Sequence, residues 1–96
     1  ASALYAAANN PLIKTVVCRG GRPDLAINIL DKVNVPVLLI VGGNDEVVID
    51  LNELALQRLH CPCKLEIVHK ATHLFEEEGA MEKVSALAAR WFTKYL

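Results

Sequence analysis

A short apolar run, followed by two glycines and an acid, extends from Pro36 to Asp45 with the sequence PVLLIVGGND. The run is bounded by proline and glycine and is rich in Val, Ile and Leu, so it predicts a β-strand buried on both faces. Such strands belong to parallel sheets with helices on both sides. Gly42 and Gly43 allow a sharp turn. Asp45 then follows the carboxyl end of the strand, where open α/β sheets hold their functional groups.

Three elements are predicted before this strand. Residues 1–10 (ASALYAAANN) are rich in alanine and end in two asparagines followed by Pro11, which is typical of the end of a helix. Ile13–Cys18 (IKTVVC) predicts a short strand. Asp24 is placed to cap a helix that extends to about Val33, with its apolar residues on one side.

Three further elements are predicted after the buried strand. Asp50–Glu53 is a D-x-x-E capping box, which predicts a helix that ends at about Leu59. Lys64–His69 (KLEIVH) alternates between polar and apolar residues, as an edge strand does. A last helix is predicted from about Glu77 to Tyr95, because its apolar residues recur at helical spacing and form one wide stripe. Glutamates at its start and basic residues at its end suit the helix dipole.

The order of these elements predicts an α/β fold with three layers. Strands separated by connections of helix length form parallel sheets with right-handed crossovers. We therefore expect a short parallel sheet of about three strands in sequential order, with helices on both faces, as a single partial domain over residues 1–96. The first helix has no capping residue at its start, which leads us to expect further sequence before residue 1.

Charge and hydropathy narrow the possible partners. The 10 basic and 11 acidic residues give a net charge of −1, which argues against nucleic acid and anionic membrane surfaces as partners. No apolar run approaches the ~20 residues of a membrane span. Hydrophobic residues nevertheless make up 53% of the chain, and the mean hydropathy is +0.30. Because a chain of this length has much surface for its volume, we expect apolar area that needs a partner.

The three cysteines are Cys18, Cys61 and Cys63. An odd number in a short chain without a signal segment argues against a disulfide framework and for a reducing, cytoplasmic location. His60 and His69 flank Cys61 and Cys63, but the spacing matches none of the usual zinc patterns. A turn before the third strand is the better interpretation, and we expect no metal and no cofactor.

Two polar residues follow neighbouring strands, Asp45 after the second and His73 after the third. Both loops leave the same edge of the sheet, from strands about 5 Å apart. A carboxylate that accepts the Nδ1 proton of an imidazole forms the orienting half of a nucleophilic triad, and acid before histidine is the order of α/β-hydrolases. Singly, Asp45 is better explained as a turn residue and His73 as a hydrogen-bonded loop residue. Together they favour a triad.

Three other residues carry reactive or anion-binding groups. Cys18 ends the first strand but lacks the strained elbow or helix N-terminus that lowers a thiol pKa, so we interpret it as a structural thiol rather than a nucleophile. Arg19 and Arg22 are able to bind a carboxylate or phosphate through their guanidinium groups. A solvated loop is the commoner arrangement for such residues.

Three segments carry a resemblance to a known family. LLIVGGNDEVV, LEIVHKATHLFEE and the loop VVCRGGRPDLA closely resemble the C-terminal third of α/β-hydrolase-fold enzymes, in particular the dienelactone-hydrolase-like group. The resemblance covers essentially the whole chain. It implies that Asp45 and His73 are the triad acid and base, and that the substrate is an ester, a lactone or a related carbonyl compound.

The chain departs from that family in one respect. The family's nucleophile lies in a G-x-S-x-G elbow, which is absent here, and Ser2 and Ser85 are the only serines. One interpretation is the C-terminal portion of a serine-type hydrolase whose nucleophile is supplied by residues or a chain not in this sequence. The alternative is a non-catalytic, self-associating truncated hydrolase module.

The strand predicted at Ile13–Cys18 would form an open edge of the sheet. In the hydrolase fold another strand pairs with it, and here it carries one charge, Lys14, and no internal proline to discourage pairing. Leu4 and Tyr5 are expected to lack full cover. We therefore expect a homodimer or larger oligomer in which this edge pairs with its own copy, antiparallel about a two-fold axis.

Overall fold

A computed structural model describes residues 2–72 and 75–96 of the chain. Helices and strands alternate along it, as the sequence predicts. In chain order the elements are α1 (Ser2–Asn9), β1 (Val16–Arg19), a 3₁₀ segment (Pro23–Lys32), β2 (Val37–Gly42), α2 (Glu46–Arg58), β3 (Cys63–Val68) and α3 (Ala80–Tyr95).

The strands form one parallel sheet in the order β1-β2-β3. Val16 of β1 lies opposite Val37 of β2, and Val37 lies opposite Cys63 of β3. All six residues of β2 are buried, because a strand lies on each side of β2 and helices cover both faces. The predicted α/β fold with three sequential parallel strands is confirmed.

Alternate residues of β2 belong to two separate hydrophobic clusters. Val37 and Leu39 pack with residues of α1, the 3₁₀ segment and α2 in the first cluster. Leu38 and Ile40 pack with α3 and with Phe75 in the second cluster. Because successive side chains of a strand point to opposite faces, the sheet is the middle of three layers.

The segment after β1 differs from its prediction. β1 itself extends from Val16 to Arg19 rather than from Ile13 to Cys18. The next segment is a 3₁₀ helix that begins at Pro23, not an α-helix capped by Asp24. Asp24 instead accepts two hydrogen bonds from Arg22, at 3.0 Å and 2.9 Å. The prediction was wrong because 3₁₀ and α turns bury apolar residues at similar spacing, and proline suits the first turn of either.

α2 begins earlier than its predicted capping box. It starts at Glu46, directly after Asp45, and ends at Arg58. Asp50–Glu53 therefore lies inside the helix and caps nothing. The predicted start of the helix was wrong because it rested on the spacing of the motif alone. The third residue of the motif, Asn52, has a buried side chain on the core-facing side of the helix.

α3 begins later than predicted, at Ala80, after Gly79 with φ 80°. Glu76–Glu78 thus precede the helix instead of forming its first turn. The helix is fastened to the start of the sheet by Trp91, whose Nε1 donates a hydrogen bond to Thr15 Oγ1 at 2.9 Å. Thr15 Oγ1 in turn donates to Pro36 O at 2.8 Å.

α1 is better covered than the sequence suggested. Leu4 is fully buried in the first cluster, so the expectation that it lacks cover was wrong. Tyr5 is 38% exposed and donates a hydrogen bond to Asn28 Oδ1 at 3.1 Å. α1 packs on the 3₁₀ segment, which the hydropathy pattern of either element alone does not reveal.

Candidate active site

The loop after β3 passes directly over the end of β2. An ideal Cβ placed on Gly42 would overlap Ala71 O and lie 2.6 Å from Thr72 O. Glycine is required at this position because no side chain fits under the passing backbone. The turn that leads to Asp45 and the loop that leads to His73 therefore meet at the carboxyl edge of the sheet.

Hydrogen bonds join these two loops. Gly43 N donates to Val68 O at 2.8 Å, and Asn44 N donates to Ala71 O at 2.9 Å. The side-chain amide of Asn44 also donates to Lys70 O, at 3.0 Å. The GGND turn and the loop after β3 are thus joined into one hydrogen-bonded unit.

Asp45 is half-buried and immediately precedes α2. Its backbone N–H donates to Gly42 O at 3.0 Å, and its carbonyl accepts from Ile49 N at 2.9 Å. The carboxylate makes no capping hydrogen bond to the helix, although aspartate is a preferred capping residue. Helix capping therefore does not explain the acid at this position.

His73, the predicted partner of Asp45, lies with Leu74 outside the residues that the structure describes. The hydrogen bond between Asp45 and His73 thus stays a prediction. The preceding residue is described: the carbonyl of Thr72 lies against Gly42, three positions before Asp45 in the chain. The approach of the two loops is the geometry that the predicted pair requires.

The chain on either side of His73 is held in place. Thr72 donates two hydrogen bonds to Glu77 Oε1, from its backbone N–H at 3.0 Å and from its hydroxyl at 2.5 Å. The hydrogen bond from the Thr72 hydroxyl is the main cause that lowers the pKa of Glu77. Phe75 is 1% exposed and has φ 55°. Burial of its ring offsets the strain of that left-handed backbone.

Asn52 ties the loop after β1 to the helix that follows Asp45. Its Nδ2 donates to Gly21 O at 3.2 Å and to Val48 O at 2.7 Å. The side chain is 1% exposed, and its Oδ1 has no hydrogen-bond partner among the described residues. Because α2 begins directly after Asp45, Asn52 couples the arginine-glycine loop to the candidate acid.

The two arginines of this loop differ in their surroundings. Arg22 forms a two-point ion pair with Asp24, and this hydrogen bonding lowers the pKa of the Asp24 carboxyl. Arg19 is exposed, and its Nη1 lies 3.4 Å from Met81 Sδ. The guanidinium of Arg22 is therefore engaged within its own loop, whereas that of Arg19 contacts a thioether.

The candidate nucleophiles of the sequence lie in unfavourable places. Cys18 is half-buried beside the first cluster, and burial raises the pKa of its thiol. A raised pKa lowers the fraction of thiolate, which is the reactive form. Ser2 and Ser85 are exposed residues of α1 and α3, not of a turn between a strand and a helix.

Cys61 in the turn before β3 and Cys63 at the start of β3 carry thiols, which are of a kind that binds metals. Within residues 2–72 and 75–96, no group of three or more His, Cys, Asp and Glu could hold a metal ion. Burial raises the pKa of both Cys61 and Cys63, which disfavours the thiolate that a metal binds.

Within residues 2–72 and 75–96, no helix has the length and apolar character needed to cross a membrane.

Sequence reasoning missed the residues that organise this site. Asn52 was assigned to a capping box, although its spacing from Val48 and Ala55 places it on the buried stripe of α2. Glu77 was assigned to the start of a helix. Its bonds to Thr72 span a loop, and no periodic pattern signals a contact of that kind.

A family model described as "Dienelactone hydrolase family" matches residues 1–96. The chain belongs to the dienelactone hydrolase family. The crystal structure of a dienelactone hydrolase from Anabaena variabilis ATCC 29413 superimposes with a TM-score of 0.97 and 52% sequence identity, over 99% of this chain and 44% of that one. The predicted resemblance to this group of α/β-hydrolases is confirmed.

Two curated relatives come from Mycobacterium tuberculosis, strains CDC 1551 / Oshkosh and ATCC 25618 / H37Rv. Each is 50% identical over 96 residues, which is 99% of this chain and 22% of the relative, and each is named "Putative phosphoribosyl transferase". The chain therefore spans about a fifth of the length of its curated relatives and less than half of the solved dienelactone hydrolase.

Proposed function

We propose that this member of the dienelactone hydrolase family supplies the acid, Asp45, and the histidine, His73, of a serine-type triad. The substrate would be an ester, a lactone or a related carbonyl compound. The observation that carries the proposal is the close approach of the two loops, with the backbone of Ala71 and Thr72 against Gly42. Membership of the family supports the reaction class.

The triad assigns a separate task to each residue. His73 Nε2 takes the proton of the attacking hydroxyl and later gives it to the leaving group. Asp45 accepts the Nδ1 proton, which fixes the tautomer and stabilises the imidazolium. The hydroxyl oxygen forms a bond to the substrate carbonyl, and loss of the alcohol leaves an acyl-enzyme. Water then repeats the cycle with His73 as its base, and releases the acid.

We place the nucleophile and the oxyanion hole outside these 96 residues, in the same longer polypeptide or in another chain. The sequence has no G-x-S-x-G elbow. The match covers 44% of the Anabaena hydrolase, so a hydrolase of this family contains further elements that can hold both. The chemistry requires no metal and no cofactor.

The proposed hydrolase function does not rest on the name of the curated relatives. That name describes proteins of which the match covers 22%, whereas the hydrolase family matches residues 1–96. We therefore assign phosphoribosyl transfer to no residue of this chain.

A non-catalytic, self-associating module is the second candidate. The observation that favours it is the position of β1, which pairs with β2 and forms one end of the described sheet. An unpaired edge is a template for another strand. In the non-catalytic hypothesis, two copies of the chain pair through their β1 strands, antiparallel about a two-fold axis.

A chimera separates the two candidates. This chain replaces the matching segment of the Anabaena variabilis hydrolase, and the hydrolysis of a short p-nitrophenyl ester is measured. We expect turnover, with kcat lowered about 10⁴-fold by Asp45→Asn and about 10⁶-fold by His73→Ala. Asp50→Asn and His60→Ala alter exposed residues and are expected to retain the activity. A folded but inactive chimera would favour the non-catalytic module.

The 96-residue chain alone gives the complementary result. Because no activated nucleophile was found among the described residues, we expect no esterase turnover that depends on His73. Turnover that disappears in His73→Ala would place the nucleophile within this chain, with Cys18 as the first residue to test. Turnover that survives His73→Ala would be background reactivity.

A further inference from the structure

We infer that Glu77 is a positioning residue for the proposed catalytic histidine, because its carboxylate fixes Thr72, the residue that immediately precedes His73. This role rests on the proposed function, since it has a chemical consequence only if His73 is the triad base. It adds a residue that acts through another and does not touch the substrate.

The first support is the geometry of the contact. A single oxygen, Glu77 Oε1, accepts both the backbone N–H of Thr72 at 3.0 Å and its hydroxyl at 2.5 Å. One bond restrains the backbone of Thr72 and the other restrains the rotation of its side chain. Hydrogen bonds to a charged carboxylate are shorter and stronger than those to a neutral acceptor.

The second support is that Thr72 is clamped between the sheet and α3. On one side its carbonyl lies against Gly42, in the turn that leads to Asp45. On the other side it is bonded to Glu77, whose own carbonyl accepts a hydrogen bond from Ala80 N at 3.0 Å, at the start of α3. The position of residue 72 is thus set relative to both the candidate acid and the helix.

The third support is the short loop that the contact closes. Residues 72 and 77 are its ends, and Phe75 inside it is buried in the second cluster with φ 55°. A left-handed backbone at a bulky residue persists only where the surroundings fix it. The ring of Phe75 and the Thr72–Glu77 bonds together hold the chain before and after residues 73 and 74.

The charge of Glu77 is part of the contact. Its Oε2 is buried and has no hydrogen-bond partner among the described residues, while the bonds from Thr72 lower the pKa of the carboxyl. The two bonds thus favour the ionised form. A glutamine at this position keeps the size of the side chain but removes the charge that strengthens both bonds.

The test is the protonation pattern of His73 in the 96-residue chain, read from the ¹⁵N chemical shifts of its two ring nitrogens. With Asp45 as acceptor, the proton of the neutral ring is expected on Nδ1. Glu77→Gln and Thr72→Val should each move the His73 shifts toward those of His60, which is exposed and serves as the internal reference. Thr72→Ser keeps the hydroxyl and should resemble the wild type.

Glu78→Gln is the matched control, since it alters the neighbouring exposed glutamate and should leave the His73 shifts unchanged. Should Glu77→Gln not fold, Thr72→Val removes a single hydroxyl from the same contact. Unchanged shifts in both variants, with changed shifts in Asp45→Asn, would overturn the role of Glu77 and leave the triad intact. Unchanged shifts in Asp45→Asn as well would overturn the Asp45–His73 pair, and with it the role of Glu77.

Discussion

At Gly42 the space for a side chain is limited by backbone atoms of Ala71 and Thr72. A flexible side chain could rotate away from an added methyl group, but a hydrogen-bonded backbone cannot. A single Cβ at this position would therefore separate the two loops of the candidate site. A side chain at position 42 should therefore lower both the stability of the fold and the activity of the candidate site.

We expect Gly42→Ala to lower the free energy of unfolding by about 3 kcal/mol, the upper end of the range for overpacking. Urea denaturation measures it as a lower midpoint at unchanged slope. Gly21→Ala is the matched control, because the nearest atom to its added Cβ is Cys18 Cβ at 4.0 Å; we expect a change within about 0.5 kcal/mol. Equal midpoints for the two variants would contradict the close approach at Gly42.

Asn52→Asp tests the buried amide. The new carboxylate would face the carbonyls of Gly21 and Val48, which now accept from the amide, so desolvation and these oxygens should raise its pKa. Below the unfolded-state pKa such a carboxyl is protonated in both states and lowers the free energy of unfolding least. The loss of stability then grows as the pH rises through the folded-state pKa. We expect a loss of about 2–4 kcal/mol at neutral pH that shrinks in acid.

Urea denaturation at neutral and acidic pH measures this loss against the wild type. Asn34→Asp, at an exposed position, is the control and should show no such pH dependence. A loss for Asn52→Asp that is independent of pH would mean that the introduced carboxyl has the same pKa in the folded and the unfolded chain, contrary to the buried contact described.

At the scale of the elements, α3 is joined to the start of the sheet by a contact that is distant in sequence. Trp91 Nε1 donates to Thr15 Oγ1, and its ring lies 4.5 Å, centroid to centroid, from that of Tyr95. The bond joins the last helix to the residue before β1, so it fixes where the helix crosses the sheet.

Trp91→Phe keeps an aromatic ring and removes the N–H donor. We expect a loss of about 1 kcal/mol in the free energy of unfolding from the missing hydrogen bond, in addition to the smaller ring. A double-mutant cycle with Thr15→Val isolates the bond, with an expected coupling energy of about 0.5–1.5 kcal/mol. Strictly additive losses would show that the bond contributes nothing to stability.

The elements were predictable where one local property decides them. The β-branched run of β2 and the apolar stripe of α3 depend on burial alone, and both were found. The predicted boundaries were wrong where a local sequence motif conflicted with the tertiary structure. Asp50–Glu53 matches a capping box but lies inside α2. The 3₁₀ segment was predicted as an α-helix because its apolar spacing suits both kinds of turn, and the side chain of Ala26 does not signal that this residue leaves the helical region.

In the candidate site, too, residues placed by a local property were predictable and residues placed by tertiary contacts were not. The place of Asp45, at the carboxyl end of a buried strand, follows from strand direction alone. The contact of Gly42 with Ala71 and Thr72 joins residues far apart in the chain, and a single sequence contains no record of it. Glu77 was misplaced for that reason as well, because its partner lies across a loop.

At the scale of the whole molecule, β1 forms an edge that no other strand of the described sheet covers. The N–H groups of Val16 and Gly20 donate to Pro36 and Ile40, toward β2. Since N–H groups alternate in direction along a strand, those of Val17 and Arg19 face the other side. They are the donors that a second strand would use.

We expect light scattering at micromolar concentration to give about twice the chain mass of 10.5 kDa, because two such edges can pair. Arg19→Pro removes one outward N–H and leaves the bonds to β2 in place, so it should weaken the dimer. Arg19→Ala removes the same charge, keeps the N–H and should remain dimeric. A mass of 10.5 kDa for the unaltered chain would contradict self-association.

The sequential strand order also sets the order in which a growing chain can bury its surfaces. The first cluster draws on residues up to Leu65, so it can pack once β3 has emerged from the ribosome and before α3 has. The second cluster needs Val68 and the residues after it. Until α3 has emerged, we expect Leu38 and Ile40 to be exposed to solvent on one face of the sheet. A chain whose β3 has emerged while α3 is still inside the ribosome would thus have a half-covered sheet, the species on which we expect chaperones and proteases to act.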